Sequence, residues 1–186
     1  MTVAATMITV AGCSGTPAPS PTTSAAPSRV TVAEPAAPAT SAAPAVTARS
    51  PGPVNHCAHN RAAQKAIVSI REQHMWMCAR HRTVYSTAIT SGMAGPWTST
   101  PTGDYVVQGR VRDTALTLNT GATYAVKYWI PFDGPLFGFH DSSWQHFPYG
   151  SARYRTAGSH GCVHMPLEAI AFFYRWVARP TAVHIA

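Results

Sequence analysis

Phe137-Gly138-Phe139-His140 and Ser159-His160-Gly161-Cys162-Val163-His164 set one thiol and three imidazoles between apolar segments, with eighteen residues separating His140 from Ser159. A thiolate is the strongest ordinary side-chain nucleophile near neutral pH, and a nearby imidazole can raise its fraction and later return the proton. The two segments therefore predict a cysteine acyl-transfer site, with His140 delivered at the end of a short strand. Directly after the cysteine, Pro166 suits the first position of a helix and Glu168 its first turn. Leu167, Ile170, Ala171, Tyr174 and Val177 recur at helical spacing, while Glu168, Arg175 and Arg179 point outward. A helix packed behind the cysteine loop would restrain Cys162. Pro180 is expected to end that helix, and 181–185 to form a last short strand.

Upstream the pattern is of strands. The segments 66–71 and 74–78 read as a hairpin around Glu72-Gln73, in which Met75 and Met77 face one way and His74, Trp76 and Cys78 the other. Residues 82–90 continue the meander. Pro101 and Gly103 make Ser99-Thr100-Pro101-Thr102-Gly103 a rigid turn at the sheet margin, before a strand over 105–111. Over 124–130, Tyr124, Val126, Tyr128 and Ile130 share one face and Ala125, Lys127 and Trp129 the other. The run Pro131-Phe132-Asp133-Gly134-Pro135-Leu136 is then expected to break the strand.

The 186 residues suit one compact domain with a tail. A net charge of +7 favours anionic partners without choosing among them. No nucleic-acid-binding signature is present, so no nucleic acid is expected as partner. Residues 1–12 are small and apolar and end in Val10-Ala11-Gly12-Cys13, which looks like a bacterial lipobox with Cys13 as the lipidated residue. The segment is shorter than a usual signal and lacks Lys or Arg ahead of the apolar run, as a start assigned too late would leave it. Residues 14–54 are rich in Pro, Ala, Ser and Thr and cannot bury enough area to offset their ordering entropy. As a disordered tether they would reach about 130 Å extended and roughly 35 Å as a flexible coil. Cys57 and Cys78 remain; in an oxidising compartment a bridge between them would pin the start of the domain to its sheet, and two separate buried thiols are the alternative.

Ser159-His160-Gly161-Cys162-Val163, with His140 upstream, Thr100-Pro101-Thr102-Gly103 further back and an apolar helix directly after, resembles the catalytic domain of the L,D-transpeptidases, the YkuD family, over about residues 65–186. The segments Ile67-Val68-Ser69-Ile70 and Met75-Trp76-Met77 are similar to that domain's opening hairpin. The resemblance implies a mainly-β sandwich with a C-terminal helix packed after the cysteine loop, in an actinobacterial lipoprotein on the outer face of the cytoplasmic membrane. It implies that Cys162 is the nucleophile and His140 the general base, oriented by the backbone carbonyl of Asp141. His160 would shape the site, and the Gly161 and Cys162 amides would lie near the oxyanion. Ser159, His164, Tyr128 and Trp129 are the expected substrate-side residues, and the segment 131–136 would lie beside the acyl-donor groove, partly as a lid. The partners implied are a peptidoglycan tetrapeptide donor stem and a diamino-acid acceptor stem, with membrane lipid through Cys13. A monomer without metal or cofactor is expected.

His164 departs from the Asn or Arg that the family generally has at this position, which bears on substrate contacts rather than on the nucleophile. Three other readings stand beside this one. Water as second nucleophile would make an L,D-carboxypeptidase. Zinc held by His140, His160, Cys162 and His164 would consume the thiol. A noncatalytic wall-binding domain would use none of them chemically. Arg153 and Arg155 lie close enough in sequence to touch stem carboxylates. His56, His59, His74, His81, His146 and His184 are expected to be solvent-facing or structural.

Overall fold

The computed structural model describes residues 54–186; Cys13 and all but the last residue of the expected tether lie outside the described residues. The first sheet grows from β1 (Lys65–Ser69) and β2 (His74–Ala79), paired antiparallel with Ala66 opposite Met77 and Val68 opposite Met75. These four side chains are fully buried, as the alternation requires of a strand with one face on a core. β3 (Arg82–Ala88) flanks β2. On the other side β9 (Ala182–Ile185) runs parallel to β1 and antiparallel to β4 (Gly103–Val106), giving the order β3-β2-β1-β9-β4.

The second sheet has the order β5-β6-β7-β8, from β5 (Val111–Thr117), β6 (Thr123–Asp133), β7 (Phe137–Asp141) and β8 (Val163–Met165). Its first three strands are antiparallel, and β8 lies parallel to β7. Two helices complete the domain, α1 (Tyr154–Ala157) and α2 (Leu167–Trp176). One core joins both sheets and α2: Val68, Met75, Met77, Ile130, Phe139, Ile170, Phe173 and Ile185 are all essentially inaccessible. Phe139 meets Phe173 edge-on at 5.1 Å and Phe132 at 5.2 Å. Each such side chain contributes about 1.5–3 kcal/mol by leaving water. The architecture is thus the expected mainly-β sandwich with a helix after the cysteine loop.

Four local expectations are corrected. The stretch 105–111 is not one strand but parts of two, β4 and β5, in different sheets. The chain crosses between them at 107–110, where Val107 N–H donates to Thr181 O and Gln108 N–H to Pro131 O. Pro131 does not break β6, which runs to Asp133; the missing N–H is absorbed by a register shift between Pro131 and Asp133. Pro166 is the cap rather than the first helical residue, with ψ 143°, and Leu167 is 55% exposed. The buried helix face is therefore Ala169, Ile170 and Phe173, continued by Val177. Finally, α2 stops at Trp176, ahead of Pro180. Gln64 meets its end, donating to Trp176 O at 2.7 Å and accepting from Ala178 N–H at 3.0 Å.

The outer face of β2 is covered as well. His56 stacks on Trp76 at 3.5 Å between ring centroids, and Cys57 is disulfide-bonded to Cys78. The segment leading into β1 is thereby fastened across the outside of the first sheet.

Candidate active site

The site lies on the other side of β7 and β8 from the core. Alternation sends Phe139, Val163 and Met165 inward and leaves His140 and His164, which are register partners, on the opposite face. Their ring centroids are 4.7 Å apart. Trp129, paired with His140 across β6 and β7, packs over Gly138, where a Cβ would come within 2.6 Å of the indole. Cys162 sits in the turn just ahead of β8. Gly161 makes that turn possible: its φ is +119°, and a Cβ there would run 2.2 Å from the Phe137 ring.

Hydrogen bonds hold the turn from behind. Ser159 Oγ donates to Cys162 O at 2.6 Å and accepts the Gly161 N–H at 3.0 Å. The Gly161 amide expected at an oxyanion is thus already engaged. Thr100 Oγ1 accepts Gly92 N–H at 2.8 Å and lies 3.5 Å from Cys162 O. The Thr-Pro-Thr-Gly segment therefore braces the cysteine loop without entering the chemistry. The backbones of Thr90 and His164 exchange two bonds, and Ser159 bonds Ser91 and Met93, so residues 90–93 stitch the loop to the first sheet.

His140 is 4% exposed, and its Nδ1 lies 2.8 Å from the backbone carbonyl of Asp141. A carbonyl only accepts, so Nδ1 carries the proton and Nε2 keeps its lone pair. Burial lowers the His140 pKa, against the raising effects of the Asp141 carbonyl and carboxylate, so the ring rests neutral. The Asp141 carboxylate does not touch the imidazole; its Oδ1 accepts from the Lys127 and Tyr128 amides. Burial also pushes the Cys162 thiol up to about 11, opposed by a backbone hydrogen bond from Gly138. At neutral pH the site therefore holds a neutral thiol and a neutral imidazole rather than an ion pair.

His164 is bonded through Nδ1 to Gln145 Oε1 at 3.1 Å. The Gln145 amide nitrogen donates to Phe147 O and Thr90 Oγ1, each at 3.0 Å, which assigns Oε1 to the histidine and makes His164 Nδ1 the donor. Burial first, then the neighbouring His140 and His160, lower His164 to about 3. Trp144 packs 5.9 Å from both His140 and His164.

Cys162, His140, His160, His164, Ser159 and Trp129 line one cavity of about 420 Å³. Tyr128 does not: it packs on Tyr174 at 5.1 Å, with the Arg112 guanidinium over its ring. Arg153 and Arg155 also stay outside it, over Phe147 and Tyr154. His146 is solvent-facing as expected, on the lining of the cavity. Sequence reasoning missed Trp144 and Gln145, which sit in an aperiodic loop, and the wall formed by Leu116, Leu118 and Tyr124. The tip of the hairpin between β6 and β7 adds Pro135 and Leu136, and Leu136 O lies 3.8 Å from Cys162 Sγ. A zinc centre would need three convergent ligands, and no group of three His, Cys, Asp or Glu side chains among the described residues is so arranged.

The same sandwich fold is found in solved L,D-transpeptidases. A cysteine-to-serine mutant of Enterococcus faecium L,D-transpeptidase is 33% identical with a TM-score of 0.61, covering 66% of this chain and 49% of that one. The NMR structure of the catalytic domain of E. faecium L,D-transpeptidase acylated by ertapenem is 34% identical with a TM-score of 0.57, covering 66% and 96%. An L,D-transpeptidase from Stackebrandtia nassauensis, 19% identical with a TM-score of 0.57, covers 73% and 60% and shares the fold. This chain thus spans about half the length of the first of these proteins and nearly all of the isolated catalytic domain. No curated protein matches. The family described as YkuD, L,D-transpeptidase catalytic domain, matches residues 63–185. The chain belongs to this family of cysteine acyltransferases.

Proposed function

We propose that residues 55–186 act as a peptidoglycan L,D-transpeptidase working through a Cys162 thioester. The observation that carries this is the fixed His140 tautomer: Nδ1–H is held by the Asp141 carbonyl, leaving Nε2 as a base in the cavity that also contains the thiol. Since both groups rest neutral, His140 takes the thiol proton as the sulfur attacks rather than beforehand. The sulfur–carbon bond forms at the carbonyl of the diamino acid in a tetrapeptide stem. The amide bond to the terminal D-alanine breaks, and His140 returns the proton to that leaving amine. The Cys162 amide stabilises the oxyanion, the Gly161 amide being held by Ser159. The side-chain amine of a second stem then attacks the thioester, giving a 3→3 cross-link and restoring the thiol.

Trp129, Ser159, His160 and His164 shape the donor side. The neutral His164, its Nδ1–H held by Gln145, offers a hydrogen-bond acceptor where an Arg would offer charged donors. Residues 1–13 act as a lipoprotein signal with Cys13 acylated, and 14–54 as a tether carrying a monomeric domain from the outer face of the cytoplasmic membrane to the wall. The test incubates the purified full chain and its Cys162→Ala variant with disaccharide-tetrapeptide and reads the products by intact and tandem mass spectrometry. A Cys162-dependent acyl adduct and a 3→3 dimer are expected. Tripeptide alone moves the assignment to an L,D-carboxypeptidase, and no Cys162-dependent product on folded protein overturns acyl transfer.

A further inference from the structure

The ladder between β6 and β7 ends at Trp129 opposite His140, so the next pair in register would be Tyr128 opposite Asp141. The backbones do not make that pair. Instead Asp141 Oδ1 accepts the N–H of Lys127 at 2.8 Å and of Tyr128 at 2.9 Å, from a residue only 5% exposed. Beyond this point β6 pairs with β5 alone, down to Thr117 opposite Thr123. The two-stranded arm so released supplies Leu116, Leu118 and Tyr124 to the cavity wall. Tyr124 packs 4.7 Å from Trp144, the ring that lies against both His140 and His164.

A strand that leaves its ladder strands backbone donors, and a buried donor left unpaired is destabilising. One carboxylate oxygen here satisfies two of them, in charge-assisted bonds. The nearby Lys127 ammonium is not its partner, since that group pairs with Asp113 at 3.1 Å. Meanwhile the backbone carbonyl of the same residue holds the His140 ring.

We propose that Asp141 is a positioning residue whose side chain pins the β5–β6 arm over the cavity while its backbone orients His140. One residue thereby ties the wall that grips the donor to the base that serves the thiol. The kinetic consequence rests on the transpeptidase reading above; the structural one does not.

The rival is a purely electrostatic role, in which the carboxylate charge supports the imidazolium. Asn at 141 separates the two, because its carbonyl oxygen accepts the same amides without the charge. In Asp141→Ala full chain, the KM for disaccharide-tetrapeptide is expected to rise about tenfold with kcat changed less than about threefold. Asp141→Asn should keep both within about threefold and leave the pH–rate profile in place. Backbone amide exchange, followed by NMR, should show the Lys127 and Tyr128 amides losing protection in the Ala variant and keeping it in the Asn variant. If the Ala variant fails to fold, Asp141→Glu, which displaces the carboxylate by one methylene, takes its place with the same expectation. An Asn variant as impaired as Ala, with a shifted pH profile, overturns the proposal in favour of charge. Unchanged protection of both amides in the Ala or Glu variant overturns it outright. The exchange measurement stands even if no tetrapeptide is turned over, so failure of the transpeptidase reading is seen separately.

Discussion

The two sheets of this domain obey the same alternation and treat their outer faces in opposite ways. Outside the first sheet, Trp76 is covered by His56, and Cys78 is bonded to Cys57, so the outer face of β2 is covered. Outside the second, His140, His164 and Trp129 look into an open cavity of about 420 Å³. The inner faces of both contribute to one apolar core. Stability should therefore reside in the inner faces and the disulfide, and activity in a handful of side chains on one outer face.

Variants on opposite faces of β7 and its neighbours test that division. Cys162→Ala should lower acyl-enzyme formation by at least about 10³-fold with little change in urea midpoint; a large loss of stability would mean that the nucleophile loop is also a structural keystone. His140→Ala should cost about 10²–10⁴-fold in the same assay. Because only the neutral ring can accept the thiol proton, and burial lowers its pKa below 6.5, the rate in wild type should rise with pH along an acid limb lying below that value. A limb above it would show that the ring is charged in the resting site. Phe139→Ala, one residue away but facing inward, should instead lose about 3–5 kcal/mol in urea unfolding, through the cavity left against Phe132 and Phe173.

Replacing Cys57 and Cys78 together by Ala should lower stability by about 2–5 kcal/mol while leaving Cys162-dependent acyl-enzyme formation with disaccharide-tetrapeptide nearly intact. Loss of acylation would break the separation between the covered and the open face. The smallest effect belongs to Leu167→Ala, within about 0.5 kcal/mol, because that side chain is exposed despite its place in the apolar periodicity.

The chemistry of the site was legible in the letters Ser159 to His164 with His140, because a thiol, a base and a glycine that permits a left-handed turn are local requirements. So were the core strands, since Met75 and Met77, or Val126 and Ile130, announce a buried face by period alone. What escaped was of another kind. Pro131 looked like a strand end, yet its lost donor is tolerated by a register shift that depends on the partner strand. The run 105–111 reads as one strand, and only the second sheet's presence divides it. Leu167 fits the helical stripe, but where the helix begins to turn is set by the extended backbone at Pro166. Trp144 and Gln145 carry no period, and nothing in their neighbourhood marks them as the residues that frame two imidazoles.

By itself the sequence determined which side chains the candidate site would draw on and which faces are apolar, because side-chain pKa range, nucleophilicity and alternation travel with each residue and its near neighbours. Tertiary structure alone decided the charge state of those groups and the company they keep. Desolvation comes from the whole surrounding volume, and that volume raises the thiol and lowers both imidazoles. Contacts such as Asp141 to the Lys127 amide, or Tyr124 to Trp144, join segments whose separation along the chain leaves no local trace.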